Sequence, residues 1–284
     1  MDKGVLGDLK VNRVGFGAKR LLRAGFTAAD REGAVRLLRR AVELGVDHID
    51  TAAFYPSVAN KAEGPTGFTS LDVANELIRE ALAPYDDGLV VATKVGPTEH
   101  GMARPDQLRG LVEADLRALG RDRLDLVYLR QSGLESVAEH FGVLAELREA
   151  GLIRHLGLSS IRPEHLVQAQ EIAPVVAVSN RYALDFGRVN DDLVDSCGAA
   201  GIAFVPFFAL TGEGREAGGV AAHDRVSEVA RAHGATPAQV RLAWALSRGP
   251  HVLVIPGTSS EAHLLENLAA ADLELTPEEL ARVG

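Results

Sequence analysis

The feature that most constrains this chain is an alternation between short β-branched runs and longer stretches with helical periodicity. After a glycine-punctuated opening from Val11 to Gly17, apolar bursts begin at His48, Leu89, Leu124, His155, Val175, Ala203 and Val252. They close respectively at Ala52, Val95, Leu129, Ser159, Ser179, Phe208 and Pro256. Between most of them lie stretches with apolar residues at i, i+3, i+4 and i+7, such as Arg31 to Leu44, Leu71 to Leu82, Pro105 to Leu119 and Val137 to Ala150. Gly45, Gly120, Gly151 and Gly201 sit just past helical patterns, where a left-handed cap is wanted. Thr236-Pro237 and Thr276-Pro277 read as a cap followed by proline at the first helical position.

Eight bursts separated by helices imply parallel strands joined by right-handed crossovers. Such strands form either an open doubly wound sheet or a closed barrel. No Gly-x-Gly-x-x-Gly fingerprint opens a first helix, so a dinucleotide-binding open sheet loses ground. Eight units within 284 residues favour a (β/α)8 barrel, and the 46% hydrophobic content is ample for its core. Without a linker, repeat or low-complexity tract, residues 1–284 are expected to form one such domain.

Charge and cysteine usage narrow the function classes. Thirty basic residues against 39 acidic ones give a net charge of −9, which disfavours nucleic acid and anionic membranes as partners. The single cysteine, Cys197, excludes an internal disulfide framework and multi-cysteine metal sites. No metal-ligand spacing joins the histidines to carboxylates, so no metal is expected. No signal-peptide pattern follows Met1 and no apolar run reaches the ~20 residues of a membrane span, so the expected location is the cytoplasm.

Barrel active sites lie at the C-terminal ends of the strands, so polar residues there are the candidates. They are Asp50-Thr51-Ala52 with Tyr55, Thr93-Lys94, Arg130, Ser159-Ser160 and Ser179-Asn180. A carboxylate, a lysine and a tyrosine at neighbouring strand ends can do acid–base work. The lysine's charge favours tyrosinate and lowers the phenol pKa, while Asp50 keeps the lysine charged and oriented. Such a tyrosine can protonate a carbonyl oxygen as hydride reaches carbon. Taken singly, the same residues also fit a structural ion pair beside a loop tyrosine.

The segment from His48 to Tyr55, Thr93-Lys94, Gly157-Leu158-Ser159-Ser160 and Ile255 to Ser260 followed by Glu266-Asn267 together resemble the aldo-keto reductases. The motifs run in that family's order along nearly the whole chain. Val11 to Ala18, Asn75 to Leu82, Val205 to Phe208 and Leu242 to Asn267 are similar to the bacterial pyridoxal reductase-like subgroup. The resemblance implies an NADPH-dependent barrel enzyme that reduces an aldehyde or ketone to an alcohol. It assigns Tyr55 as proton donor, with Lys94 and Asp50 behind it. It also implies cofactor contacts from Gly17, Ala18 and Asp50, and from Ser159, Ser160 and Ser179 to the nicotinamide carboxamide. Phe207 would stack on the nicotinamide ring, Ala209, Leu210 and Gly212 would hold the pyrophosphate, and Phe208 is a further cofactor contact. Thr258, Ser259, Ser260 and His263 would meet the extra phosphate of NADPH, Glu266 and Asn267 the adenine, and Gly257 is a further cofactor contact.

There are departures from the family pattern. Arg130 stands where most members carry histidine, as a permanent charge able to polarise a carbonyl or grip a substrate anion. Ser160 and Ser179 stand where Asn and Gln are usual; they hydrogen-bond an amide with shorter reach, with water able to bridge. Phe207 replaces a tyrosine and keeps the aromatic face. His263 replaces a frequent arginine, which makes that phosphate clamp weaker and pH-dependent. Residues 56–70 are longer than the short turn of the resembled subgroup, and Lys61 and Phe68 are the expected substrate contacts of a specificity loop. Two other functions remain open to the sequence: a Schiff-base aldolase using Lys94, and a binder of NADPH that reports redox state without turnover.

Overall fold

A computed structural model describes residues 3–22, 27–54, 73–185, 188–210 and 224–284. Tyr55, Gly212 and the 56–70 stretch with Lys61 and Phe68 lie outside those residues. The chain opens with an antiparallel hairpin, β1 (Lys3–Leu6) and β2 (Leu9–Asn12), which the sequence reading did not separate from the first barrel strand. Seven parallel strands follow in one sheet: β3 (Phe16–Gly17), β4 (His48–Asp50), β5 (Val90–Val95), β8 (Leu124–Arg130), β9 (Ile153–Ser159), β10 (Val175–Ser179) and β11 (Ala203–Phe204). A small hairpin, β6 (Pro97–Thr98) with β7 (Gly101–Met102), follows β5.

The last burst, ending at Pro256, does not form a regular strand, yet it joins the two edges of this sheet. On one side Leu253 N–H donates to Phe204 C=O (3.0 Å) and Phe204 N–H to His251 C=O (2.9 Å). On the other, Val254 N–H donates to Arg13 C=O and Gly15 N–H to Val254 C=O, both at 2.8 Å. Pro256 has no N–H to continue the ladder, and its carbonyl instead accepts from Gly17 N–H (3.4 Å). Proline also explains why the burst from Ala203 to Phe208 is a strand only at its first two residues. Pro206 interrupts it, and Phe208 beyond adopts φ +64°.

The helices lie where the periodicity put them, within a few residues: α1 (Ala28–Glu43), α2 (Val73–Leu82), α3 (Leu108–Leu119) and α4 (Ala138–Glu149). The remainder are α5 (Pro163–Gln170), α6 (Asp191–Ala199), α7 (Asp224–Ala232), α8 (Pro237–Ser247), α9 (Glu261–Ala269) and α10 (Pro277–Val283). The two expected Thr-Pro caps form: Thr236 Oγ1 accepts from Gln239 N–H and Thr276 Oγ1 from Glu279 N–H, each at 3.2 Å. Gly120 closes α3 at φ +65°, a backbone conformation that a β-carbon would strain.

Strand alternation divides the buried residues into two clusters. Val90, Ala92, Leu126, Tyr128, Ala177, Ala203, Val205 and Leu253 point inward, and Leu6 and Val11 of the opening hairpin pack against them. The opposite faces, with residues such as Ile49, Val91, Val127 and Leu158, join the helices in a larger outer core. Within the barrel Tyr128 is fully buried, and a β-carbon on Gly157 would sit 2.5 Å from its ring, so glycine is what lets the ring fit. The interior is therefore packed side chains rather than a pore, and function is left to the strand ends.

Candidate active site

Register places the candidate residues. Asp50 pairs with Ala92, Lys94 with Tyr128, Arg130 with Ser159, and Ser159 with Ser179. With parallel strands these residues gather at one end of the sheet, five strands in succession each contributing an inward or rim side chain. Asp50 and Lys94 are almost fully buried, 1% and 4% exposed, and form a direct ion pair. The Lys94 ammonium also donates to the Thr51 carbonyl at 3.1 Å and stands 5.7 Å from the Tyr128 ring centroid. A charge pair so far from water holds its geometry firmly, because losing either partner would leave the other charge buried.

Arg130, half-buried, donates through one Nη1 to the hydroxyls of both Ser159 (3.4 Å) and Ser160, and its guanidinium lies 5.1 Å from the Phe207 ring centroid. The strand-end residue that departs from the family pattern thus touches the serines and the aromatic ring assigned to the nicotinamide. Ser160 has φ +57°, a strained conformation for a residue with a β-carbon, costing about 1–3 kcal/mol. Its neighbours hold it there. Asn180 Oδ1 accepts from Ile161 N–H (2.9 Å), Asn180 Nδ2 donates to Ile161 C=O (2.8 Å), and the Gln131 amide donates to the Ser160 carbonyl. Ser179 is fully buried and its hydroxyl has no hydrogen-bond partner among the described residues. An unsatisfied buried hydroxyl beside two serines suits a ligand amide.

A cleft of about 480 Å³ runs from Asp50 and Phe207 toward α9. Of the expected cofactor residues, Gly17, Phe208, Ala209 and Leu210 line it, as do Gly257, Thr258, Ser259 and His263. Glu266 and Asn267 close the far end. Gly17 and Gly257 meet so closely that a β-carbon on either would fall within 2.6 Å of a carbonyl on the other segment. Both glycines are therefore required by backbone approach. Ser260 caps α9 by position but not with its side chain, and its own N–H donates to Thr258 Oγ1 at 3.0 Å. The uncapped amides of a nine-residue helix, with hydroxyls around them, fit an anionic group. Glu266 is engaged at its own end: Thr236 Oγ1 donates to its carboxylate, and Gln239 Nε2 donates to its carbonyl at 3.1 Å. Ala18, fully buried in the outer core, does not face the cleft.

The structure adds residues that the sequence reading did not single out. Lys19 and Arg20 line the middle of the cleft, with the Lys19 ammonium 4.8 Å from the Phe208 ring centroid. Arg181 approaches the same ring at 5.5 Å. Desolvation, then the like charges of Arg20, Arg130, Lys94 and Arg181, push the Lys19 pKa below its ordinary value. Such a concentration of cations along a cleft is what a polyanionic ligand requires. In sequence, Lys19-Arg20 looks like any surface basic pair, and only the fold brings it to the wall of the cleft. Cys197 is an inert thiol, buried in the outer core, with burial pushing its pKa up to about 12. Among the described residues no cluster of three or more His, Cys, Asp or Glu is placed to hold a metal, and no helix is long and apolar enough to cross a membrane.

Comparison with known proteins agrees with this arrangement. Residues 13–284 match the aldo/keto reductase family. Pyridoxine 4-dehydrogenase of Escherichia coli is 41% identical over 293 aligned positions, covering 97% of this chain and 95% of that protein. An aldo/keto reductase from Klebsiella pneumoniae, crystallised with NADP and acetate, superposes with a TM-score of 0.81 at 29% identity, covering all of this chain and 94% of that one. A second structure from that organism, in complex with NADPH, gives 0.80 at 28% identity with the same coverage.

Proposed function

From the premise that the chain belongs to the aldo/keto reductase family, we propose that it reduces an aldehyde or ketone to an alcohol with NADPH, using Tyr55 as proton donor. The family makes it an NAD(P)H-dependent oxidoreductase. The reading extends to a single (β/α)8 domain over residues 1–284, a cytoplasmic location and a small carbonyl compound as the substrate, with neither nucleic acid nor membrane as a partner. The observation that carries it is the buried Asp50–Lys94 pair at adjacent strand ends, opening on a cleft lined by cations and ending at an uncapped helix.

When bound, the cofactor supplies the hydride. Lys19 and Arg20 counter its pyrophosphate charge, and Thr258, Ser259 and His263 at the start of α9 meet the extra phosphate. Ser159, Ser160 and Ser179 offer hydroxyls to the carboxamide, and Phe207 offers a ring face. Lys94, held by Asp50 and the Thr51 carbonyl, stabilises negative charge on the Tyr55 phenol and so eases proton donation to the carbonyl oxygen. Arg130, beside Ser159, Ser160 and Phe207, can hold a substrate oxygen or anionic group. Catalysis then comes from positioning and from charge stabilisation at the developing alkoxide. The Asp50 carboxylate beside Lys94 favours the charged ammonium, which opposes a Schiff-base aldolase needing a neutral amine. Borohydride trapping with a carbonyl substrate separates those two chemistries, and turnover on a broad aldehyde panel separates an enzyme from a non-catalytic NADPH binder.

Two expected results test the reading directly. NADPH binds more tightly than NADH in a fluorescence titration, and replacing Ser259 and His263 with Ala narrows the gap, because only the extra phosphate loses contacts. Equal affinities in the parent protein would remove the NADPH assignment. The second concerns residues 56–70, expected to form a specificity loop next to the proton donor. Trimming residues 59–67 to a two-residue turn changes the ranking of carbonyl substrates while NADPH affinity stays constant, and pyridoxal is a poor substrate of the parent. Identical kcat/KM values across the panel after trimming, or efficient pyridoxal reduction, would defeat the loop assignment.

A further inference from the structure

On the outer side of the strands that carry Asp50 and Lys94 lies a connected set of buried polar groups. Thr51 and Thr93 each follow or precede a member of the ion pair, and strand alternation turns their side chains away from the barrel interior, toward α2 and α3. Thr51 Oγ1 donates to Asn75 Oδ1 on α2 at 2.9 Å. Asn75 Nδ2 donates to Asp115 Oδ1 on α3 at 3.0 Å, and Thr93 Oγ1 donates to Asp115 Oδ2 at 2.6 Å. Lys94 then closes the ring from the other side of the sheet by donating to the Thr51 carbonyl at 3.1 Å. Thr51, Asn75, Thr93 and Asp115 are each 0% exposed.

Neither helix needs this for packing alone. Leu77 and Ile78 on α2, and Leu108, Val112 and Leu119 on α3, already bury the apolar faces. A carboxylate taken wholly out of water is costly unless its oxygens are hydrogen-bonded, and here each oxygen receives a donor from a different element. Two helices are thereby tied to the C-terminal ends of two adjacent strands, at the residues next to the reactive pair. Hydrogen bonds to a buried carboxylate are strong and directional, so a displacement of either strand end breaks a link of the network, at Thr93–Asp115 or at Thr51–Asn75.

We propose that Asn75, Asp115 and Thr93 are positioning residues that fix where the Lys94 ammonium stands at the strand ends, beside Asp50 and the Thr51 carbonyl. The proposal rests on the reductase reading for its kinetic consequence but not for its structural one. The network acts through the backbone of Thr93-Lys94 and of Thr51, which bears the carbonyl that receives Lys94. Loosening it leaves Asp50 and Lys94 paired but lets the pair drift, and small misplacements at a reacting centre are expensive in rate.

The test compares Thr93→Val, which keeps the shape and deletes the donor, with Thr93→Ser, which keeps the donor, and with Asn75→Ala. Lysine labelled with ¹³C at Cε reports the surroundings of Lys94 by NMR, with Lys94→Met identifying the signal. Thr93→Val and Asn75→Ala are expected to move the Lys94 signal and to lower kcat by about 10-fold, with KM and the NADPH dissociation constant within about twofold. The alkaline limb of the kcat profile moves up by about one pH unit as the phenol loses part of its cationic neighbour. Thr93→Ser restores the signal and the profile. A Thr93→Val protein with a lower melting temperature but an unmoved Lys94 signal would overturn the proposal, because the network would then be structural only. If the parent reduces no carbonyl with NADPH while the Lys94 signal still moves, the reductase reading fails and the positioning role stands.

Discussion

Tyr55→Phe lowers turnover by roughly 10²–10⁴ while NADPH binding persists, because the ring remains and only the proton donor is lost. Tyr55 lies outside the described residues, so its role rests on its place five residues beyond Asp50 and on the family to which the chain belongs. Lys94→Met gives a comparable loss for a related reason. Without the ammonium the phenol returns toward its ordinary pKa of about 10, and the anion left by proton donation is no longer stabilised. The measurement is steady-state turnover on the best carbonyl substrate, alongside a fluorescence titration with NADPH. A Tyr55→Phe enzyme with near-parental kcat would transfer the proton-donor role elsewhere, and Lys94→Met would then lose its kinetic explanation as well.

Lys94→Met also has a large effect on stability. Lys94 and Asp50 are both almost fully buried and directly paired, so deleting the cation strands a carboxylate inside the barrel. Breaking a buried pair by removing one partner costs about 3–5 kcal/mol, of which most is the uncompensated charge rather than the lost attraction. Asp50→Asn in the same chain removes that charge, and the double variant Asp50→Asn with Lys94→Met recovers most of the stability while remaining inactive. Urea denaturation of the four proteins of the cycle measures this through the midpoint at constant slope. Additive losses in the double variant would mean that the two side chains stabilise the fold independently, and the pair would not be the coupled unit described here. Recovery of stability without recovery of turnover separates the folding role of the pair from its chemical one.

Much of this architecture was legible in the residues. Alternating bursts and amphipathic stretches located the parallel strands and the first four helices, because period 2 and period 3.6 follow from backbone geometry alone. Asp50 and Lys94 could be chosen because polar residues at the ends of apolar strands are conspicuous. Thr236 and Thr276 announced their helices because capping is a local affair of three residues. The bursts from Ala203 and from Val252 were read too generously, and proline accounts for both. Pro206 and Pro256 withhold the donor that a ladder needs, so an apolar run there becomes a bend or a pair of isolated bridges.

What the chain determined by itself was therefore whatever depends on neighbours in sequence: element type, caps, the inward or outward face of each strand residue, and the identity of the strand-end candidates. Everything that depends on which strand lies beside which came from the three-dimensional arrangement. Lys19 and Arg20 become cleft residues because the segment after β3 lies against the one after Val254, and nothing in their own neighbourhood encodes that. Arg130 meets Ser159 and Ser160 because β8 and β9 are in register at that level. Asn75 and Asp115 are 40 residues apart and look like ordinary polar positions on two amphipathic helices. Burial makes them a network, since a polar group removed from water must find its partner in three dimensions, and a linear pattern specifies periodicity but not partners.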